Sequence, residues 1–249
     1  MRQAIVCTLA LVSLVTGCDE VFDLEHLTAV DAAAGDAPAA NALVAWYPME
    51  NIANSTLDDI VGDHDGACVP TQCPTVVKAM GVIGSALAFD GIAQLVTVTG
   101  SPELATTSGF TVALWVHPDQ IASDAGSCPV NKRFGTVDDN SWQLCAIGGV
   151  WTLFAGAVRV EGVPVEYSTW HHLAATWDAT TRALWLYTDG VALGQPAAAD
   201  VEFDDGKVVF GGDIDAASVV ARYMGALDEI RIYERALGPQ EIAALSQLR

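Results

Sequence analysis

Basic side chains are scarce in this chain: 11 Lys and Arg stand against 31 Asp and Glu, a formal net charge of -20 over 249 residues. So acidic a surface repels phosphate backbones and anionic headgroups, which argues against nucleic acid as a partner and leaves cations, neutral glycans and basic proteins. Long hydrophobic runs are missing too. The leading one, Ala4 to Val15, falls short of the roughly 20 residues a permanent membrane helix needs. No Cys-x-x-Cys spacing occurs and no His adjoins the later cysteines, which argues against a zinc site built from them. Gly211-Gly212-Asp213 lacks both the repeat spacing and the following helix of a phosphate loop. Sustained helical periodicity is absent until the last dozen residues, which excludes an all-α domain.

What is present begins with a leader. Arg2, the apolar run and then Thr16, Gly17 and Cys18 follow the order of a signal peptide over residues 1–17. Leu14-Val15-Thr16-Gly17-Cys18 resembles a bacterial lipobox, and the resemblance implies that Cys18 is the lipidated N-terminus of the mature protein. Acyl chains contribute about 0.8 kcal/mol per buried CH₂. The chain is therefore expected in the bacterial cell envelope, lipid-anchored and extracytoplasmic. Asp19 is similar to an inner-membrane retention signal of some enteric bacteria, a rule that varies between lineages, so the periplasmic side and the cell surface both stay open.

Residues 18–41 run through Asp31-Ala-Ala-Ala-Gly-Asp-Ala-Pro38-Ala-Ala, an acidic, Ala-rich stretch with little to bury, and read as a flexible tether. Of the six Cys, Cys7 leaves with the leader and Cys18 is taken by lipid, which leaves Cys68, Cys73, Cys128 and Cys145 as export disulfides. Three pairings are open. The local one, Cys68 with Cys73 and Cys128 with Cys145, is favoured because each pair brackets a turn-rich stretch.

From residue 42 to 249 short alternating runs are separated by Gly, Pro, Asn and Asp, the pattern of an all-β, antiparallel two-sheet sandwich. Expected strands include Leu43 to Met49, Ala86 to Asp90, Phe110 to His117, Ser141 to Ile147, Trp151 to Phe154, Trp170 to Asp178, Ala183 to Thr188 and Gly225 to Tyr233. Phe110, Val112, Leu114 and Val116 fall on one face, with Thr111, Ala113, Trp115 and His117 on the other. Asp189-Gly190 is the strongest hairpin signal. A short C-terminal helix is expected from Pro239, with Ile242, Leu245 and Leu248 as its apolar stripe.

Read in order, Leu43-Val-Ala-Trp46-Tyr47-Pro48-Met49-Glu50, Asp59-Ile-Val-Gly62-Asp63-His64-Asp65-Gly66, Gly84-Ser-Ala-Leu87-Ala88-Phe89-Asp90-Gly91, Phe110-Thr-Val-Ala-Leu-Trp115-Val116, Trp170-His171-His172-Leu173-Ala174, Leu186-Tyr187-Thr-Asp189-Gly190 and Gly225-Ala-Leu-Asp228-Glu229-Ile230-Arg231-Ile232-Tyr233 resemble a laminin G-like jelly roll of the concanavalin A-like superfamily. The resemblance spans about Leu43 to Gln247. It implies a structural Ca²⁺ at Glu50, Asp59 and Asp228. Strict alternation also sets Asp228 on the face of Ile230 and Ile232, toward the core, where a carboxylate needs a cation or hydrogen-bond donors.

No catalytic set is found. Asp228 and Glu234 share a strand face but lie about 20 Å apart in an extended strand, too far for the paired carboxylates of a glycosidase. His171 and His172 point to opposite faces with no nucleophile motif beside them. The chain is thus expected to be no enzyme but a membrane-anchored binding module for a glycan or protein ligand. The alternatives are a structural envelope lipoprotein without small ligand and, less favoured, a glycan-active hydrolase. Trp115, Trp142, Trp151, Trp170, Trp177 and Trp185 are candidate stacking surfaces, with one or two at most expected outside the core. Ser123 to Asn140, with Lys132 and Arg133, is a candidate recognition rim. The ligand and the oligomeric state are not specified by the sequence.

Overall fold

The computed structural model describes residues 42–119, 126–134, 139–215 and 218–249; the leader, Cys18 and the tether lie outside them. Two antiparallel sheets face each other. The first runs β14 (Val191–Ala192), β13 (Ala183–Thr188), β12 (His171–Asp178), β7 (Gly109–Pro118), β19 (Met224–Tyr233), β5 (Ala86–Asp90), β4 (Thr75–Val77), with β1 (Leu43–Tyr47) also paired to β19 and β15 (Ala197–Ala198) to β13. The second runs β11 (Val158–Pro164), β10 (Val150–Ala155), β9 (Asp139–Ile147), β8 (Ser127–Phe134), β16 (Val208–Phe210), β6 (Val96–Val98), β3 (Gly66–Ala67), β2 (Thr56–Leu57). A small hairpin of β17 (Asp213–Asp215) and β18 (Ser218–Val220) stands apart.

Period-two alternation builds the sandwich. Phe110, Val112, Leu114 and Val116 of β7 meet Trp142 and Leu144 of β9 and Trp151 and Leu153 of β10 in one buried cluster. Phe110 stacks on Trp142 with centroids 5.4 Å apart, an arrangement worth about 1 kcal/mol beyond area burial. The other face of β7 is covered as well. Ala113 packs with Ala174, Tyr187 and Tyr233 beneath Leu237 and beneath Ile242 and Leu245 of a short C-terminal helix, α1 (Pro239–Leu245). Glu241 anchors that helix by accepting the Gly238 N–H at 2.8 Å and an Arg235 N–H at 3.0 Å.

Local chemistry fixes the turns. Asp189 and Gly190 join β13 to β14 with φ of 50° and 79°, the left-handed pair a two-residue hairpin demands. The disulfides are Cys68–Cys73 and Cys128–Cys145; the latter ties β8 to β9.

Lys132 and Arg133 are not a solvent-facing rim. They lie in β8, a strand the sequence did not suggest, where Lys132 is fully buried and donates to the carbonyls of Asp204 at 2.9 Å and Gly206 at 2.5 Å. Nor do the tryptophans offer an open platform: among the described residues all are buried or partly buried.

Candidate functional site

Two places gather polar groups. The first is a seam along β19, whose edge is shared by two strands placed end to end: Leu227 pairs with Leu87 of β5, and Ile230 with Tyr47 of β1. Between them the register against β7 slips from Asp228 to Arg231, and Glu229 takes φ of 52°. This bulge absorbs one residue, so that Leu227 and Ile230, three apart, both face the sandwich core. Asp228 therefore leaves the face of Ile230 and Ile232 on which simple alternation places it, and sits opposite Trp115 on the outer side.

There Asp228 is fully buried. One carboxylate oxygen accepts the N–H groups of Val82 and Ile83 at 2.7 and 3.1 Å; the other, Oδ1, has no hydrogen-bond partner. Burial, and secondly the charge of Glu229, push its carboxyl up to about 8. Glu50 reaches the same loop and accepts the Ser85 N–H with both oxygens at 3.1 Å. Gly84, at φ of +66°, leaves the space: a Cβ there would stand 2.2 Å from Glu50 Oε1. Glu229 is buried too, and burial raises its pKa, though Arg231 and Trp46 act the other way. Arg231 donates to it at 2.6 Å and the Trp46 indole N–H at 2.9 Å.

Asp59 is engaged beside β1 by other donors. It accepts the N–H of Trp46 at 2.9 Å, of Val61 at 3.1 Å and of His64 at 3.2 Å, with the His64 ring 3.2 Å away. Thus Glu50 and Asp228 converge on the Gly81–Ser85 loop, while Asp59 secures the loop that runs to Asp65. Among the described residues no three His, Cys, Asp or Glu side chains are gathered to hold one ion. The two carboxylates, of which only Asp228 Oδ1 is without a partner, are of the oxygen-donor type that a hard cation takes, with backbone carbonyls to complete its shell.

The second place is a cleft of about 300 Å³ at one end of the sandwich, lined by Phe134, Asn140, Ser141, Gly156, Ala157, Asp200 and Glu202. Three pieces of chain build it. The ends of β8 and β9 bring Phe134, Asn140 and Ser141; the turn after β10 brings Gly156 and Ala157; the connection from β15 to β16 brings the acids. Gly156 lets that turn close on the connection, since a Cβ there would meet the Asp200 carbonyl at 2.4 Å. Asn140 donates through Nδ2 to Asp213 at 2.9 Å, and its Oδ1 is buried without a partner, as is the Ser141 hydroxyl. Asp200 is paired with Arg182.

The sequence held little signal for this cleft. Ser141 was legible as a strand residue, but Asp200 and Glu202 come from an aperiodic connection that only the fold brings beside it. The adjacent histidines diverge as alternation requires. His171 Nδ1 lies 2.8 Å from Asp189, whereas His172 is buried against Trp115 with ring centroids 5.4 Å apart, and burial above all holds its pKa down to about 3.

A family model described as Laminin_G_3, Concanavalin A-like lectin/glucanases superfamily, matches residues 90–243. Two curated proteins, the rat (Rattus norvegicus) and mouse (Mus musculus) "Sushi, von Willebrand factor type A, EGF and pentraxin domain-containing protein 1", are 23% and 22% identical over 156 residues, 57% of this chain and 4% of theirs. The chain thus corresponds to a small part of those relatives.

Among solved structures, Domain 4 of AbnA, a GH43 extracellular arabinanase from Geobacillus stearothermophilus in complex with arabinotriose, superposes with a TM-score of 0.63 at 20% identity, covering 83% of this chain and 98% of that one. Trypanosoma rangeli sialidase bound to a difluoro-KDN gives 0.66 at 17% identity over 83% of this chain and 32% of that one. The binding domain of Paraclostridial Mosquitocidal Protein 1 gives 0.62 at 16% identity over 83% and 52%. Likeness at these identities establishes the fold.

Proposed function

The chain belongs to the Laminin_G_3 family of the concanavalin A-like lectin/glucanases superfamily, and on that premise we propose that it is a lipid-anchored extracytoplasmic module that binds carbohydrate in its end cleft without cleaving it. The observation that carries the proposal is the lining of that cleft: the Phe134 ring beside the polar residues Asn140, Ser141, Asp200 and Glu202. A sugar ring offers the complement, an apolar face ringed by hydroxyls that both donate and accept, and binding sites of this kind combine an apolar wall with a few convergent polar groups. That Domain 4 of AbnA was solved with arabinotriose supports the reading by analogy of fold.

Anchoring rests on Cys18 and its leader, and export is supported by the two disulfides. Calcium, when bound, would supply positive charge at the seam, held by Glu50 and Asp228 with the backbone oxygens of the Gly81–Ser85 loop, and would stiffen the junction of β1 and β5 on β19. Asp59 serves that element from the neighbouring loop. The role is structural.

The test is a glycan-array screen of the full-length protein with and without calcium chelation, paired with mass spectrometry of the mature N-terminus. Retention of a defined set of glycans and an acylated Cys18 are the expected results. An array blank under both conditions would end the carbohydrate reading, and an unmodified Cys18 would end the anchor.

A further inference from the structure

We infer that the outer edge of β11 pairs with the same edge of a second copy of this chain, antiparallel and two-fold about Val160, so that the second sheets of two molecules run on as one. The inference goes beyond the carbohydrate reading and does not depend on it. An edge strand is a template for another strand unless the fold blunts it, and short length is one such protection. Among the described residues the other sheet ends are blunted in that way: β14 and β2 have two residues each and β4 has three. β11 has seven, Val158–Pro164, with β10 as its one neighbour in the sheet. Its only proline, Pro164, stands last.

The hairpin sets the register. Gly156 and Ala157 join β10 to β11, so that Ala155 opposes Val158, Phe154 opposes Arg159, Leu153 opposes Val160 and Thr152 opposes Glu161. The pair flanking a two-residue turn is hydrogen-bonded, and bonded and open pairs then alternate. Val158 and Val160 therefore give their backbone groups to β10, while the N–H and C=O of Arg159 and Glu161 point away from it to the edge. The side chains follow the same alternation: Val158 and Val160 pack half-buried against the core, and Arg159 and Glu161 are exposed. In an antiparallel pair centred on Val160, Arg159 of each copy falls opposite Glu161 of the other. The residues whose backbone groups face the edge thus meet as hydrogen-bonded pairs, and they meet with opposite charge. Within one molecule Arg159 and Glu161 lie 2.9 Å apart; the two-fold turns the same two charges into two cross-strand pairs between copies. Opposite charges stabilise such a position and like charges destabilise it, so a guard of one sign, two lysines for example, would repel its own copy here, whereas this one attracts it. The contact is isologous and closes at two copies. The edge is small and both copies are acidic, which makes the association weak and reversible. The pair carries two copies of every site on the sandwich, so weak single contacts to a repeating ligand reinforce one another.

The test is sedimentation equilibrium of the full-length protein in density-matched detergent, from about 10 µM to about 1 mM, the range of a small and weak interface. A reversible equilibrium between monomer and dimer is expected. Arg159→Glu and Glu161→Lys each set like charges opposite one another at two symmetry-related places and should each weaken association about tenfold or more. Mixed in equal amounts, the two variants should associate again, because the acids of one then face the bases of the other; a variant that had lost its fold could not be rescued in this way. A monomer throughout the range, a dimer that neither variant weakens, variants that fail to recover on mixing, or assembly beyond two copies would each overturn the pairing. None of these results bears on sugar binding, which the glycan array reads separately.

Discussion

The guanidinium of Arg231 lies over the indole of Trp46, 4.6 Å from its centroid, and both side chains donate to one carboxylate oxygen of Glu229. All three are buried on the outer side of the first sheet. A buried ion pair is a poor stabiliser against an apolar replacement but costly to break, because the survivor keeps its desolvation penalty. Arg231→Ala is therefore expected to lose about 3–5 kcal/mol in urea denaturation. The double variant Arg231→Met with Glu229→Gln should recover most of that loss. A single variant within 1 kcal/mol of the parent would show that the pair is solvated in solution.

The same face holds a pH-sensitive element. His172 packs against Trp115, with Arg231 and Asp189 as its charged neighbours, and burial together with Arg231 depresses its pKa from 6.5 to about 3. A base whose folded pKa lies below its unfolded value takes up a proton on unfolding throughout the interval between them. Its contribution is thus complete above about pH 6.5 and is lost as the pH falls toward 3, an effect of a few kcal/mol. Denaturation curves from pH 7 to pH 4 should show this slope in the parent and a shallower one in His172→Gln. Parallel slopes would remove His172 as the cause.

Calcium addition should raise the melting temperature, and a chelator should reverse the rise. The expected size is about 2.7 kcal/mol at a hundredfold excess over Kd. In Asp228→Asn the amide oxygen can still accept from Val82 and Ile83 while the charge is gone, so the metal-free protein should hold its stability and the calcium increment should vanish. A calcium response unchanged in Asp228→Asn and in Glu50→Gln would place the ion elsewhere.

Much of the sandwich was legible because period two is a strong signal when one face is apolar: β5 and β13 run from Ala86 to Asp90 and from Ala183 to Thr188, and Asp189-Gly190 announced its own turn. β8 was not legible. Its run Ser127-Cys-Pro-Val-Asn-Lys-Arg-Phe buries a lysine and an asparagine, and their partners, the carbonyls of Asp204, Gly206 and Gly212, lie far along the chain. The Asp228 face failed for a related reason: a bulge is a long-range accommodation to two strands sharing one edge, and alternation within β19 carries no sign of it. Glu50 and Asp228 were named from the family pattern, and the fold brings both to the Gly81–Ser85 loop, whereas the end cleft joins residues that no local pattern links.

Lys132 couples that core to the cleft. Its ammonium is fully buried and spans to the carbonyls of Asp204 and Gly206, holding the connection on which Asp200 and Glu202 are carried. Burial lowers its pKa, partly opposed by Asp204 and Asp205. Replacing it with Met keeps the aliphatic stem but leaves those carbonyls without a donor, at a cost of about 1–3 kcal/mol. The loss should be local before it is global. In Lys132→Met, amide exchange should accelerate at Gly206, whose N–H is held by Asp204, while the β7 and β12 amides keep their protection. Sugar affinity should fall with it, because the carboxylates of the cleft are no longer held in place. If exchange at Gly206 and in β7 rose together, Lys132 would be supporting the whole sandwich rather than this one connection.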